Sequence, residues 1–325
     1  MIKRILFNRE SALLLTLILM FTGFSIFTDG FLDAYNLLER CRYWTITGMI
    51  AVPMTFIIAT SGIDLSVGSM VGLSGIVLGL LYRDAGWPLA LAGVGAVVCG
   101  GAAGALNGGV TSYLKVPPLV VTLATMALYS GLAVGLSKGS PIRNFPDSFT
   151  WLSQGDAFQI PLHSGPVGFP VPLIALIAVL VIGGLILRRT WIGRVTECLG
   201  ENETAAQFAA MDVGRMKLAL YTASGLICGL TSIFYTALYA SARPDAGRGL
   251  ELDVIACVVV GGTPVSGGQG SVLGTLLGLL IIGILRYGLE MANVPSEQLV
   301  IYIGALVILV TVFNEWVASS RGAKS

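Results

Sequence analysis

Ten stretches of the chain are apolar for long enough to leave water: residues 11–27, 43–60, 65–82, 89–112, 118–137, 170–187, 218–240, 252–263, 271–289 and 299–313. Polar residues gather between them. Across all ten, only Asp253 and Arg286 are charged. Such a division between two solvents predicts a polytopic helical membrane protein, because a helix crosses the roughly 30 Å hydrocarbon core in about 20 residues. The stretch 252–263 is short and runs into Gly261-Gly262-Thr263-Pro264. It predicts a broken or partial crossing whose free backbone groups are covered by protein. Two further stretches meet at Ser61-Gly62-Ile63-Asp64, a second place for a discontinuity. The expected fold is all-α, with about ten transmembrane helices, one or two of them short or broken, in a single transmembrane domain over residues 1–325.

Lys and Arg orient such a chain. With the N-terminus in the cytoplasm, eleven fall in inside segments, among them Lys3, Arg4, Arg9 and Lys324, against seven outside, including Arg40, Arg42, Arg143 and Arg243. The basic stretch 188–217 anchors this choice. Six crossings precede it and four follow, so both termini are predicted to share its cytoplasmic side, with 138–169 forming an outer loop. The first apolar run follows basic residues as a secretory signal would. It lacks a clear small-x-small cleavage site, which predicts an uncleaved first span.

Composition narrows the function classes. Of 325 residues 55% are hydrophobic and 11% charged, against about 25% charged in a soluble domain. A soluble enzyme, a nucleic-acid binder and a disordered chain are thereby excluded, and a net charge of +1 supplies no basic field for nucleic acid. Five scattered cysteines (Cys41, Cys99, Cys198, Cys228, Cys257) make neither a disulfide framework nor a zinc site. The single histidine, His163, sits in a polar loop. No catalytic residue, metal site or cofactor is expected on this chain, and no nucleophile–base spacing suggests a membrane enzyme.

Two patterns concern packing. Gly100, Gly104 and Gly108 recur at every fourth residue, as do Gly270, Gly274 and Gly278; such ladders let helix backbones approach closely. Leu106–Met126 and Ile284–Ala305 each end a helix, pass through Val-Pro (Val116-Pro117 and Val294-Pro295) and re-enter an apolar run. With those turns on opposite sides of the membrane, this is a faint inverted repeat of the kind transporters use.

Within 188–217, the run from Asn202 to Met211 predicts a short helix with Asn202 as N-cap and Glu203 in the first turn, where the dipole favours it. Its alanine-rich face is suited to lie in a groove, while Arg188, Arg189, Arg194, Arg215 and Lys217 bracket it near the headgroups. A simple interfacial helix held by basic residues fits the same pattern.

Six motifs then carry a family resemblance over about residues 45–313: Ser61-Gly62-Ile63-Asp64-Leu65-Ser66-Val67-Gly68; Lys115-Val116-Pro117-Pro118 with Thr122-Leu123; Gly193-Arg194; Gly200-Glu201-Asn202 with Ala205-Ala206; Ala240-Ser241-Ala242; and Val260-Gly261-Gly262-Thr263 with Ser266-Gly267-Gly268 and Gly270-Ser271. The chain resembles the permease subunit of bacterial ATP-binding-cassette sugar importers of the ribose/xylose/galactose type. The resemblance implies an inner-membrane permease for a monosaccharide or similar polyol. Its implied partners are an ATPase subunit that binds ATP and Mg, a periplasmic or lipid-anchored sugar-binding protein, and a second permease copy or paralogue. It also implies that Glu201, Asn202, Glu203, Ala205, Ala206, Met211 and Asp212 form the coupling element gripped by the ATPase. Many relatives have Ser-Gly-Ile where this chain has Ala210-Met211 followed by Asp212. Val265-Ser266-Gly267-Gly268-Gln269 resembles the signature of the ATPases themselves, but the chain has no Gly-Lys-Ser/Thr, so these glycines are expected to form a tight turn.

For the translocation pathway the candidates are Asp64, Ser66, Asn107, Thr122, Thr125 and Asp253, with Ser130 and Thr275 as further polar groups in spans. An acidic group in hydrocarbon is costly unless paired or wet, which makes it a functional candidate. Capping of helices beginning at Leu65 and Ile255 competes with sugar binding for Asp64 and Asp253. Arg286 is the expected partner of either carboxylate or of Glu290. A second function fits the broken segments and Asp253: an ion-coupled sugar transporter acting alone.

Overall fold

The computed structural model describes residues 9–162 and 165–322; Lys3, Arg4, His163 and Lys324 lie outside the described residues. Each of the ten apolar stretches is a helix. They are α1 (Arg9–Phe27), α2 (Ala34–Ala59), α3 (Val67–Arg83), α4 (Leu89–Tyr113), α5 (Pro118–Ser137), α7 (Val171–Arg189), α10 (Val213–Tyr239), α11 (Leu250–Val260), α12 (Val272–Met291) and α13 (Ser296–Gly322). Seven of the helices in this set are long and apolar enough to cross a membrane; α3, with 17 residues, is shorter, and α11, with 11, is the broken crossing that the glycines announce. Between the spans lie α6 (Asp147–Gln154), α8 (Trp191–Glu201) and α9 (Glu203–Phe208).

The segment 138–169 is more than a loop. It contains α6 and a two-stranded antiparallel hairpin, β1 (Asp156–Leu162) and β2 (Gly165–Pro170). Arg42, expected in a loop, is instead a buried residue of α2 that ties this segment down. Its guanidinium donates to the carbonyls of Ser153 and Gly155 (2.8 Å each) and to the Asp156 carboxylate (2.6 Å). The helix reaches back to Ala34 because the Asp33 carboxylate accepts from the amides of Tyr35 and Asn36. Pro53 lies inside α2, where a missing N–H leaves one turn of the ladder unclosed.

Close backbone approach holds the bundle. A Cβ placed at Gly100 or Gly104 would run into the carbonyl of Gly225 or Tyr221 on α10, so α4 and α10 meet main chain to main chain. The second ladder is only partly one. Gly274 and Gly278 pack on Gly261 and Cys257, but Gly270 precedes the Ser271 N-cap of α12 and faces the side chain of Ala59.

The internal repeat is stronger in three dimensions than in sequence. After α4 come Leu114, a left-handed Lys115, Val116 and Pro117; after α12 come Ala292, a left-handed Asn293, Val294 and Pro295, in the same register. Both four-helix runs, α2–α5 and α10–α13, open on an aspartate N-cap, Asp33 and Asp212. Tyr113 sits against Gly214, whereas Met291 sits against Gly30 and Glu290 pairs with Arg40. The two Val-Pro turns therefore lie at opposite ends of the bundle, as an inverted repeat requires.

Gly104→Ala is expected to destabilise by about 1–3 kcal/mol, because its new methyl meets backbone that cannot move aside. Gly109→Ala, on the same helix with nothing within 4 Å of the built Cβ, should leave the thermal midpoint in detergent unchanged or slightly raised. Equal midpoints for both variants would refute this account of the α4–α10 contact.

Candidate functional site

The segment 188–217 forms a compact cap on one end of the bundle. Thr190 caps α8, accepting from the Ile192 amide, and Asn202 caps α9, its Oδ1 accepting from the Ala205 amide at 2.9 Å. The predicted helix is thus present but ends sooner, at Phe208. A Schellman-type closure stops it, in which the Met211 amide donates to the Ala206 carbonyl and Ala210 takes φ +58°. Left-handed backbone at alanine costs roughly 1 kcal/mol. Lys217 reaches back from α10 to Glu203 (2.7 Å), and the Asp212 side chain accepts from the Arg215 amide to start α10.

These bonds sort the predicted coupling residues. Glu201, Asn202, Glu203, Ala205 and Asp212 are exposed. Ala206 is not: it is 4% exposed and packs with Leu199, Val213 and Met216 over α2 and α7, with half-buried Met211 at the edge. The alanine-rich face is therefore split, one alanine turned to the core and one outward. What projects furthest is Phe208, 88% exposed on a six-residue helix. No pattern in the sequence marks it, because a lone phenylalanine in a short polar helix is usually its buried anchor.

Inside the bundle, three of the six pathway candidates join one hydrogen-bonded chain, and a fourth bonds to the turn that carries it. Asp64 Oδ1 accepts from the Ser66 amide (2.9 Å) and hydroxyl (2.6 Å); Asn107 Nδ2 donates to Ser66 Oγ (2.7 Å). The Tyr129 hydroxyl lies 3.0 Å from Asn107 Oδ1. Thr122 donates to the Ile63 carbonyl at 3.2 Å, fixing the same turn. Asp64, Ser66, Asn107 and Thr122 are fully buried, and Asp64 Oδ2 and the Tyr221 hydroxyl have no hydrogen-bond partner among the described residues. Helix α3 begins at Val67 with Ser66 at its N-cap, so Asp64 folds the turn ahead of the helix and does not cap a start at Leu65.

The remaining candidates stand elsewhere. Thr125 bonds back to the carbonyls of Val121 and Thr122 on its own helix. Asp253 pairs with Arg286, both carboxylate oxygens within 3.1 Å of one guanidinium nitrogen. Asp253 lies in the first turn of α11, which starts at Leu250, and so does not cap a helix at Ile255. The two charges within the apolar stretches thus neutralise one another, while Glu290 belongs to Arg40. Thr275 meets Thr55 across α12 and α2 at 2.7 Å, a bond between helices.

At the opposite end a cleft of about 580 Å³ opens between the start of 138–169 and the turn after α10, lined by Arg143, Tyr239, Arg243 and Asp245 among others. Bidentate hydrogen bonds from Arg243 hold the Asp245 carboxyl below the usual carboxylate range, so it stays charged in mildly acidic water.

The family model described as "Branched-chain amino acid transport system / permease component" matches residues 36–311. The chain belongs to this family of ABC-importer permeases. It is 34% identical over 315 residues, 95% of its own length and 92% of theirs, to proteins named "Autoinducer 2 import system permease protein LsrD" from Escherichia coli O9:H4 (strain HS), Shigella flexneri and Escherichia coli O157:H7. No solved structure matches it. This permease is accordingly a transport subunit, and the reading as an ion-coupled transporter acting alone loses its basis.

Ser66→Ala in this permease is expected to destabilise by roughly 1–2 kcal/mol, since it removes a donor to Asp64 and an acceptor from Asn107 together. Thr125→Ala, whose hydroxyl bonds back to carbonyls of its own helix, should cost well under half of that. Thermal unfolding of the two variants in one detergent checks the ranking.

Proposed function

We propose that the chain is one of two permease subunits in a binding-protein-dependent importer of the bacterial cytoplasmic membrane, moving a monosaccharide or similar polyol inward. The whole chain is one transmembrane domain. Both termini and the 188–217 segment face the cytoplasm; the surplus of Lys and Arg there supports this, as does the Glu10–Arg188 ion pair that brings the start of α1 to the same end. ATP and Mg are bound by a separate ATPase subunit, not by this chain, and the second permease is another copy or a paralogue.

The observation that carries the reading is helix α9. It is capped at both ends, held underneath by Ala206 and Lys217, and presents Ala205 and Phe208 to water. A rigid apolar projection on a basic, membrane-proximal loop is what a cleft in another subunit can grip. The relatives' name states import of autoinducer 2; for this chain a neutral polyol suits a bundle whose interior polar groups, such as Ser66, Asn107 and Thr122, are uncharged, although in this arrangement they bond to one another and to main chain. Asp64 and Asp253 are held by partners within the protein, so their first role is structural.

Ala205→Arg and Phe208→Glu are expected to weaken ATPase binding by about thirtyfold or more, the size of a hot-spot loss of about 2 kcal/mol. Uptake should vanish while membrane insertion stays normal. Co-purification of the ATPase with each variant, alongside uptake in proteoliposomes, is the measurement; unchanged uptake in both overturns the docking reading. Ala206→Arg is a poor probe, because its site is buried.

A further inference from the structure

Three of the motifs that lie far apart in sequence converge at one point beneath the 188–217 cap. Helix α2 ends at Ala59, and its last free carbonyl there accepts from the Gly268 amide at 3.0 Å. Ser61, an exposed residue at the edge of the cap, follows in the left-handed region, φ +62°, with its hydroxyl toward two other segments. Ser61 Oγ lies 2.6 Å from the Ser266 carbonyl and 3.2 Å from the Gly200 carbonyl. A hydroxyl has one proton. It donates to Ser266 in this arrangement, and the Gly200 carbonyl at the end of α8 is a second acceptor for the same proton.

Glycine makes this meeting possible. A Cβ at Gly200 would overlap the Ala59 carbonyl and the Gly268 amide, and one at Gly267, φ +83°, would overlap the Ser61 hydroxyl. The three segments therefore touch through main chain, which transmits displacement with little slack. Five residues beyond Ser61 stands Ser66, the hinge of the buried chain from Asp64 to Asn107. Gly200 in turn is two residues before the Asn202 cap of α9. The joint thus lies on a covalent and hydrogen-bonded route from α9 to that chain.

We propose that Ser61 is a positioning residue for transport: its hydroxyl, shared between Ser266 and Gly200, passes movement of the cytoplasmic cap into the turn that carries Asp64 and Ser66. This rests on the reading of α9 as the element gripped by the ATPase. Rotation of the Ser61 O–H from the Ser266 carbonyl to the Gly200 carbonyl gives the joint two discrete settings, which a relay needs and a simple weld does not.

The test uses the complete transporter in proteoliposomes, with its ATPase and binding protein, reading substrate moved per ATP hydrolysed. Ser61→Gly removes the hydroxyl while easing the left-handed backbone; Ser61→Asn tolerates that backbone and restores a donor. For Ser61→Gly the expected result is a fall in that ratio of about fivefold or more, the scale of one hydrogen bond acting as coupling energy, with ATPase co-purification unchanged. Ser61→Asn should recover part of the loss. A wild-type ratio in Ser61→Gly overturns the proposal, and so does loss of ATPase binding, which would make Ser61 a support of the cap's fold. Failure of the docking reading is separate: there Ala205→Arg and Phe208→Glu leave uptake intact, whatever Ser61→Gly does.

Discussion

Within hydrocarbon no water is available to bond a peptide group, so every place where a helix stops must be closed by the protein itself. This chain interrupts its helices between apolar stretches twice at the cap end of the bundle, at 60–66 and at 261–271, and hydrogen bonds join one break to the other. The Ala59 carbonyl takes the Gly268 amide, Ser61 takes the Ser266 carbonyl, and Thr122 secures the Ile63 carbonyl. Glycines at 200, 267 and 268 let these segments come close enough for such bonds to form. Remove that constraint and neither the short α11 nor the buried Asp64 turn has a reason to exist.

The same arrangement explains why the functional parts are contiguous. The cap at 188–217 rests on a small apolar cluster shared by α2, α7, α10 and α12, so it is seated on four helices and not on a flexible tether. Its outward face consists of one short helix, while its inner face meets the two helix breaks. A subunit that moves the first has a stiff route to the second, and the polar chain of Asp64, Ser66 and Asn107 begins where that route ends.

Much of this was legible in the residues. All ten apolar helices followed from the apolar stretches, seven of them long enough to cross a membrane, and the short one from Gly261-Gly262. The N-cap role of Asn202 followed from its place before an acidic first turn. Side-chain direction was harder to read. Nothing in a run of alanines says that Ala206 faces the core and Ala205 does not, since that depends on how the cap sits on α2 and α7. Arg42 was read as a loop residue because charge counting treats every polar flank alike; its burial depends on carbonyls more than 110 residues away in sequence. The hairpin at 156–170 was hidden by prolines and glycines that read as loop. The Val-Pro repeat was visible only as two dipeptides, because the left-handed residue before each is lysine in one copy and asparagine in the other.

Helix α2 joins both ends of the permease in a single element. Near its start the Arg42 guanidinium clasps α6 and the hairpin; its last residue, Ala59, lies in the joint under the cap. With 26 residues it spans about 39 Å. A rod of this kind ties the hairpin end of the bundle to the cap end through one continuous element. Pro53, six residues before the joint, is the helix position that lacks a backbone N–H and so leaves one turn of that rod unclosed.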